Sequence, residues 1–402
     1  MGQNTAILDV GSSKIICLIC STDGKGGIVV RGAGICEYEG YKAGAFLDEQ
    51  HFADAIIDAL NMAETEAKLR VRTLSVGVPA AFLKLVLHDG HAAPVGRNGR
   101  VTPATVDALI NDSLRFEQPE GYALIHSTPI EFHLSGAANG MPDMPLGQAT
   151  NDLSAPVSHV FVCERFKGLV SGALHRLGLD ADMYIGVPLS AGSFIIPEPE
   201  RQDCAALIDV GAQNTDVSLL RASALIACES IPVGGAHFTN DLVYALKLPP
   251  AVAEGVKRRY VYSLDYQDSI DTIRIPGGGM LRVEHAVVQY ILEERTRELA
   301  ELIKATILEM GVPLSNTLPV YLTGGGVSLM RGSCEFLEKE IGIPIKVRMP
   351  WMPRLSSPNY ASAFSVMDFV THADDDDNAG RLEGAVFSSG IFKKLRGFFV
   401  NK

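Results

Sequence analysis

Apolar residues run or alternate through 5–10, 14–20 and 28–37, the pattern of three successive strands. From Phe52 to Leu69 the spacing turns helical, with Ala53, Ile56, Ile57, Leu60 and Ala63 on one face. Residues 73–78 return as a strand. Strands, helix and strand in this order predict an α/β unit with a mixed sheet. Residues 80–157 follow a different pattern. Thr102-Pro103 supplies an N-cap and a first-turn proline for a helix reaching about Leu114. Ala123 to Leu134 is strand-like, and Ser135 to Pro156 is rich in Gly, Pro, Ala and Asn, so a loop is expected there. Val157 to Cys163 is expected to rejoin the main sheet, with a helix continuing through Leu177.

The second half repeats the first. Strands are predicted at 204–210, 215–221 and 224–231, and a helix opens at Gly234-Gly235. A charged helix and a strand occupy 250–276, and a long amphipathic helix spans Val283 to Met310. A strand at 318–322, a triple-glycine turn, a helix to Gly342, a strand at 344–348 and a helix near 359–370 complete the core. Residues 371–386, with Asp374 to Asp377, read as a flexible acidic linker reaching roughly 20 Å.

Two segments about 200 residues apart echo each other. Ile7-Leu-Asp9-Val-Gly11-Ser12-Ser13-Lys14 and Leu207-Ile-Asp209-Val-Gly211-Ala-Gln-Asn214-Thr215-Asp216 each read as an apolar strand ending in aspartate, then a turn, then a second strand. A third element, Leu322-Thr-Gly324-Gly325-Gly326, joins a strand to a helix. Turns without bulky side chains let backbone N–H groups approach phosphate oxygens. Asp9 and Asp209 are suited to hold a hydrated Mg²⁺, and Gly324 to Gly326 leave room for a base or phosphate. Each motif alone is an ordinary turn; the three in this order predict a nucleotide clamped between two lobes.

Length and composition agree with a folded two-lobed protein. The chain has 402 residues, 47% of them hydrophobic and 20% charged. Its net charge of −12 argues against a nucleic-acid surface. Cys17-x-x-Cys20 has no second pair, and in a strand its thiols face opposite sides, so no metal site is expected. The N-terminus lacks a basic, apolar signal region and no apolar run reaches about 18 residues, so neither a secretory nor a spanning segment is expected.

The last sixteen residues carry a separate signal. On a helical wheel Phe387, Ile391, Phe392, Leu395, Phe398 and Phe399 share one arc; Lys393 and Arg396 lie opposite, and Lys394 borders the arc. Aromatic anchors with a basic face predict a helix lying in the interface of an anionic membrane, although a terminal helix docked on the protein has the same pattern. One such tail binds reversibly, whereas many tails on an assembly bind firmly.

The three nucleotide elements in order resemble the actin, sugar-kinase and Hsp70 superfamily. The insertion near 80–157 and the amphipathic tail narrow the resemblance to the bacterial FtsA cell-division family, over almost the whole chain. The resemblance implies an actin-like, ribonuclease H-like duplicated, two-lobed fold with an inserted subdomain and a C-terminal amphipathic helix. Residues 1–80 and 158–203 would form the first lobe and 81–157 the insert. Residues 204–232 and 312–370 would form the second lobe, 233–311 its nucleotide- and FtsZ-facing subdomain, 371–386 the linker and 387–402 the membrane helix. It also implies ATP with Mg²⁺ in the cleft and self-assembly into filaments on the cytoplasmic face of the membrane at the division site. The polymer protein FtsZ would be tethered through its C-terminal tail, and later division proteins recruited.

Residue roles carry over from that likeness. Gly11, Ser12, Ser13 and Lys14 would meet phosphates, with Gly211, Asn214 and Thr215 opposite them. Gly234 and Gly235 match the family's pattern after the second hairpin, and Gly324, Gly325 and Gly326 would flank the adenosine. Glu254 and Lys257 would contact ribose and base, or form a plain i,i+3 ion pair. Arg295 would receive the acidic end of the FtsZ tail, or be a surface arginine without a role. Two departures stand out. Ala212-Gln213-Asn214 replaces the usual glycines, and Gly186-Val187 precedes Pro188 where active relatives carry a carboxylate. With no base to position water, ATP hydrolysis is expected to be slow at best and the nucleotide to act as a conformational ligand. The rivals are a small-molecule kinase of the same fold, which would need that acidic base, a chaperone ATPase, which would need a further C-terminal domain, and a pilus-assembly relative.

Overall fold

The computed structural model describes residues 4–379 apart from 23–26, 43, 95–98, 263, 265–268, 276–278 and 349–356. The first sheet begins with a meander of β1 (Asn4–Val10), β2 (Lys14–Thr22) and β3 (Ile28–Glu37). A small hairpin, β4 (Tyr41–Lys42) and β5 (Ala45–Phe46), leads to α1 (Glu49–Ala67) and β6 (Thr73–Val78). Asp48 caps α1 by accepting the His51 N–H at 2.9 Å. Phe52, Ile56, Leu60 and Ala63 face the sheet from that helix, as their spacing predicts.

Next come β7 (Leu83–Ala92), α2 (Pro103–Asp112), β8 (Tyr122–Pro129), β9 (His133–Leu134) and β10 (Leu153–Cys163). Thr102 caps α2 and Pro103 opens it, as expected. The expected return of 157–163 to the main sheet is corrected. Those residues belong to β10, which pairs antiparallel with β7 and β8 in a sheet of its own. Local alternation specifies a strand but not its partner; pairing is decided by which apolar faces meet. The expected loop over 135–156 is also shorter, because β10 starts at Leu153.

The chain then forms α3 (Glu164–His175), β11 (Asp180–Gly186) and α4 (Val187–Ile195). The first sheet has the order β11-β6-β1-β2-β3, with β1 antiparallel to β2 and parallel to β6.

The second half contains β12 (Ala205–Val210), β13 (Thr215–Arg221), β14 (Ala224–Ile231), α5 (Gly235–Leu246) and α6 (Pro250–Arg259). It continues with β15 (Ile270–Ile275), β16 (Gly279–Glu284), α7 (His285–Glu309), β17 (Val320–Thr323), α8 (Ser333–Ile341), β18 (Ile345–Val347) and α9 (Ala361–Ala379). Its five-stranded sheet has the order β14-β13-β12-β17-β18, again a three-stranded meander beside two parallel strands. The duplication read from the two echo motifs is therefore a duplication of topology. Strand β16 was not anticipated; it pairs with β15 in a two-stranded ribbon.

Each half has its own core, and a third core joins them. Ile7, Ile16 and Leu18 from the first sheet pack with Leu207, Leu220 and Tyr321 from the second. Helices α4 and α9 fill the space between through Leu189, Ala363, Phe364, Val366 and Met367. Cys17 and Cys20 enter different cores from opposite faces of β2, and all seven cysteines are free. The linker expectation is corrected in part: α9 runs to Ala379, so 371–379 are helical. A helix already nucleated by a packed first half extends at the cost of one residue's freedom per added hydrogen bond. Residues 380–386 and the tail residues Phe387, Ile391, Phe392, Lys393, Lys394, Leu395, Arg396, Phe398 and Phe399 lie outside the described residues.

Candidate functional site

The two echo hairpins meet where the sheets face each other. The first is closed by the Gly11 N–H donating to the Lys14 carbonyl at 3.0 Å. Tyr38 braces it, its hydroxyl donating to the Gly11 carbonyl at 2.7 Å and its N–H to the Ser13 carbonyl at 3.1 Å. The second is closed in the same way, the Gly211 N–H donating to the Asn214 carbonyl at 2.8 Å. Behind it, the first turn of α5 donates from Gly235 to the Gly211 carbonyl at 2.9 Å and from Ala236 to the Ala212 carbonyl at 2.8 Å. Thr215 is buried and donates to the Val233 carbonyl at 2.7 Å, tying the strand to the segment that enters α5.

The glycine loop lies against the second hairpin. Gly324 has φ of +88°, and a Cβ there would collide with Asp209 Oδ1 and the Val210 carbonyl, so only glycine is admitted. Gly326 donates its N–H to the Val210 carbonyl at 2.7 Å, and Gly325 rests on Asn359. Gly234 and Gly235 pack on Gly211, Ala212 and Gly326. The structure thus brings Gly11, Ser12, Ser13, Gly211, Asn214, Thr215, Gly234, Gly235 and the three loop glycines to one place.

Asp9 is only 2% exposed, accepts from the Ser362 hydroxyl at 2.6 Å, and is pushed up to about 6 by burial. Asp209 is pushed up to about 7, first by burial, then by Asp216 and Asp9. Asp216 stands directly opposite Asp209 in the strand register. Burial raises it to about 6, against the pull of the Ser230 hydroxyl at 2.6 Å and of the Ala80 backbone N–H from the first half. Asp216 and Asp9 both raise Asp209 through their charge, although among the described residues no three acidic, His or Cys side chains stand close enough together to hold a metal ion by themselves, so a cation here would need oxygens from a ligand or water. Asp216 was missed by the sequence reading; its signal was its inward position opposite Asp209.

Lys14 lies over the Tyr360 ring at 4.7 Å. Burial lowers its basicity, and nearby Arg258 lowers it further, against Asp9 and Glu37. The charge of Arg258, from α6, is therefore felt at Lys14, while its own guanidinium is bonded to Glu254 at 2.7 Å. Arg258 too was absent from the sequence reading.

Among the described residues, six buried side-chain atoms lack a hydrogen-bond partner. Three of them, Asn214 Oδ1, Thr323 Oγ1 and Asn359 Oδ1, belong to the second hairpin, the strand end beside Asp209 and the residue under Gly325. Such atoms each cost about 1–3 kcal/mol unless something satisfies them. Their concentration here, with the opposed carboxylates and cations, fits an anionic ligand carrying a divalent ion.

Glu254 and Lys257 face each other rather than open space. Lys257 is 5% exposed; its ammonium meets Glu254 at 2.7 Å, the Gly235 carbonyl at 2.9 Å and the Thr239 hydroxyl at 3.0 Å. This is more than the exposed ion pair of the plain alternative: the pair clamps α6 onto the first turn of α5. Arg295 is likewise engaged, bidentate on Asp241 at 2.6 and 2.8 Å and beside Glu298 at 2.5 Å. An acidic ligand at Arg295 competes with these partners. Gly186 and Val187 begin α4 with no acidic side chain in its first turn.

A family profile described as Cell division protein FtsA matches residues 206–365. The Cell division protein FtsA of Pseudomonas aeruginosa is 24% identical over 96% of this chain and 94% of its own length. That of Neisseria meningitidis is 25% identical over 98% of each. Among solved structures, a PilM–PilN type IV pilus biogenesis complex aligns over 92% of this chain and 99% of that one, with TM-score 0.62 and 17% identity. MreB5 of Spiroplasma citri bound to AMPPNP aligns over 94% and 99%, with TM-score 0.53 and 13% identity. These structural likenesses show the actin-like fold, and the sequence likenesses support a cell-division role.

Proposed function

We propose that this chain, which is similar along nearly its whole length to the FtsA cell-division proteins, works as a nucleotide-binding adaptor. It polymerises at the inner face of the cytoplasmic membrane and tethers FtsZ filaments there. The observation that carries this reading is the likeness to FtsA proteins over 96–98% of the chain. An adenine nucleotide with Mg²⁺ would be held by the two hairpins, with Asp9, Asp209 and Asp216 available to the ion and the glycine loop to the nucleoside. A bound cation would offset the charge on Asp9, Asp209 and Asp216, and these residues with the hairpin turns would hold a nucleotide against both sheets and so favour one closure of the lobes. No carboxylate stands at Gly186 or Val187 to orient an attacking water, so hydrolysis is slow at best and the ligand acts mainly on conformation.

The membrane part of the proposal rests on the apolar arc and cationic face of 387–402 in the sequence. The FtsZ part rests on family likeness and on the surface around Arg295, where Tyr244 (78% exposed) and Tyr290 (68%) stand on α5 and α7. The test is sedimentation of FtsZ filaments with vesicles containing anionic lipid. The full chain is expected to carry FtsZ into the vesicle pellet, and a chain lacking 387–402 to leave it in solution. If the truncated chain still brings FtsZ down with vesicles, the tether is elsewhere.

A further inference from the structure

We propose that the inserted subdomain is a brace across the two halves, closed by Arg221 and Glu131, and that it preorganises the cleft for its ligand. The brace is read from contacts alone; its effect on the ligand rests on the nucleotide reading above.

The insert belongs to the first half by chain connection, since β7 leaves β6 through Ala80–Phe82 and β10 leads into α3. Its sheet nevertheless lies against the second half, and three contacts follow one another along that side. At the cleft end, the Ala80 N–H bonds to the carboxylate of Asp216, which stands opposite Asp209. Further out, the Ser158 hydroxyl of β10 donates to the Leu225 carbonyl of β14 at 2.5 Å, and both residues are buried. At the far end, Arg221 donates to Glu131 at 2.8 Å, and Glu131 also faces His133 at 3.3 Å. Asp216 and Arg221 are the second and the last residues of β13. At about 3.3 Å per residue, the contacts therefore span about 17 Å of the second half.

Packing runs beside the polar contacts. Leu85 of β7 packs against the core that joins the halves. The His126 ring of β8 meets Phe369 of α9 edge-on, with centroids 6.5 Å apart. Strand β14 is the edge of the second sheet. An edge strand leaves a row of N–H and C=O groups without ladder partners. The insert lies against that edge at Leu225.

A partly exposed ion pair by itself is worth little. The Arg221–Glu131 pair gains its weight from closing a contact that is buried along its middle. A nucleotide gripped by both hairpins needs the two halves held in register. A restraint on their relative motion that exists before binding removes part of the ordering cost of binding. By linkage, a partner that pulls the insert off the second half lowers nucleotide affinity, and bound nucleotide makes the insert harder to pull away by the same factor.

The test is charge reversal in the full chain, read in two ways. Arg221→Glu and Glu131→Arg each place like charges together, and the double variant restores the pair with its polarity reversed. Hydrogen–deuterium exchange over Ala224–Ile231 without nucleotide reads the brace, and calorimetry with Mg²⁺ and AMPPNP reads the cleft. Each single variant is expected to raise exchange and to weaken AMPPNP binding by at least about threefold, and the double variant to return both to within about twofold of the parent. Unchanged exchange in both single variants overturns the brace. Raised exchange with unchanged AMPPNP affinity overturns the preorganisation, and a double variant no better than the singles overturns the pairing. A parent chain that does not bind AMPPNP overturns the nucleotide reading and the preorganisation with it, while exchange still decides the brace. Should a charge reversal fail to fold, as judged by circular dichroism, Arg221→Met takes its place with the same expected directions, and the same two readouts decide.

Discussion

Asp9→Asn is expected to make the ligand-free protein more stable at pH 8 while weakening its hold on Mg²⁺ and nucleotide. Asp9 is almost fully buried, and burial lifts its carboxyl from 3.8 to about 6 despite the Ser362 hydroxyl and Lys14. The unfolded chain releases this proton near pH 4 and the folded chain near pH 6. Between those values the folded state binds more protons, so stability falls as pH rises through the window and stays low above it. The gap corresponds to about 3 kcal/mol at pH 8, an upper figure because the lobes can relax around the charge. Asparagine keeps an oxygen for Ser362 and carries no charge, so the loss disappears. For a chain this long the gain is a melting shift of about 6 °C or less. Thermal unfolding of metal-free protein followed by circular dichroism at pH 4 and pH 8 measures it. The variant should exceed the parent at pH 8 and match it at pH 4, and added Mg²⁺ should stabilise the parent more than the variant. A variant that melts with or below the parent at pH 8, or gains equally at both pH values, refutes the reasoning.

Lys257→Met removes one partner of a buried pair and leaves the Gly235 carbonyl, Thr239 and Glu254 facing an apolar chain. Because Glu254 is about a third exposed and keeps Arg258, the expected cost is about 2–4 kcal/mol, read by urea unfolding; a loss under 1 kcal/mol contradicts the clamp. Gly324→Ala places a Cβ against Asp209 at a left-handed φ, so calorimetry should show nucleotide affinity lost at least tenfold along with reduced stability, and unchanged affinity would detach the glycine loop from the site. Arg295→Glu puts a third carboxylate beside Asp241 and Glu298, and fluorescence anisotropy with a peptide of the FtsZ C-terminus should show binding reduced at least tenfold. Asp241→Asn, which frees the guanidinium, should tighten the same peptide, and no change in either variant relocates that surface.

Much of this architecture is legible along the chain because the echo is local. Each strand before Asp9 and Asp209 is apolar enough to be buried on both faces, and each is followed by a turn and a second apolar strand. The destination of Val157–Cys163 is not legible, because its alternation suits either sheet and only the packing against β7 and β8 chooses. The end of α9 was misplaced for a related reason: four aspartates suggest a solvated coil, but the helix ahead of them is pinned by Phe364, Val366 and Met367. In the site, the carboxylates beside the turns were readable from position. Ser362 and Asn359, which complete the pocket from more than 30 residues beyond the glycine loop, carry no motif of their own. Arg258 needed the fold to bring its charge near Lys14, and the contact between the two hairpin tips is a property of tertiary structure alone.

Helix α9 begins where Ser362 holds Asp9 and ends at Ala379. Nineteen residues at about 1.5 Å each make a rod about 28 Å long. One helix therefore has its first turn on the buried carboxylate of the site and its last turn at the end of the described residues.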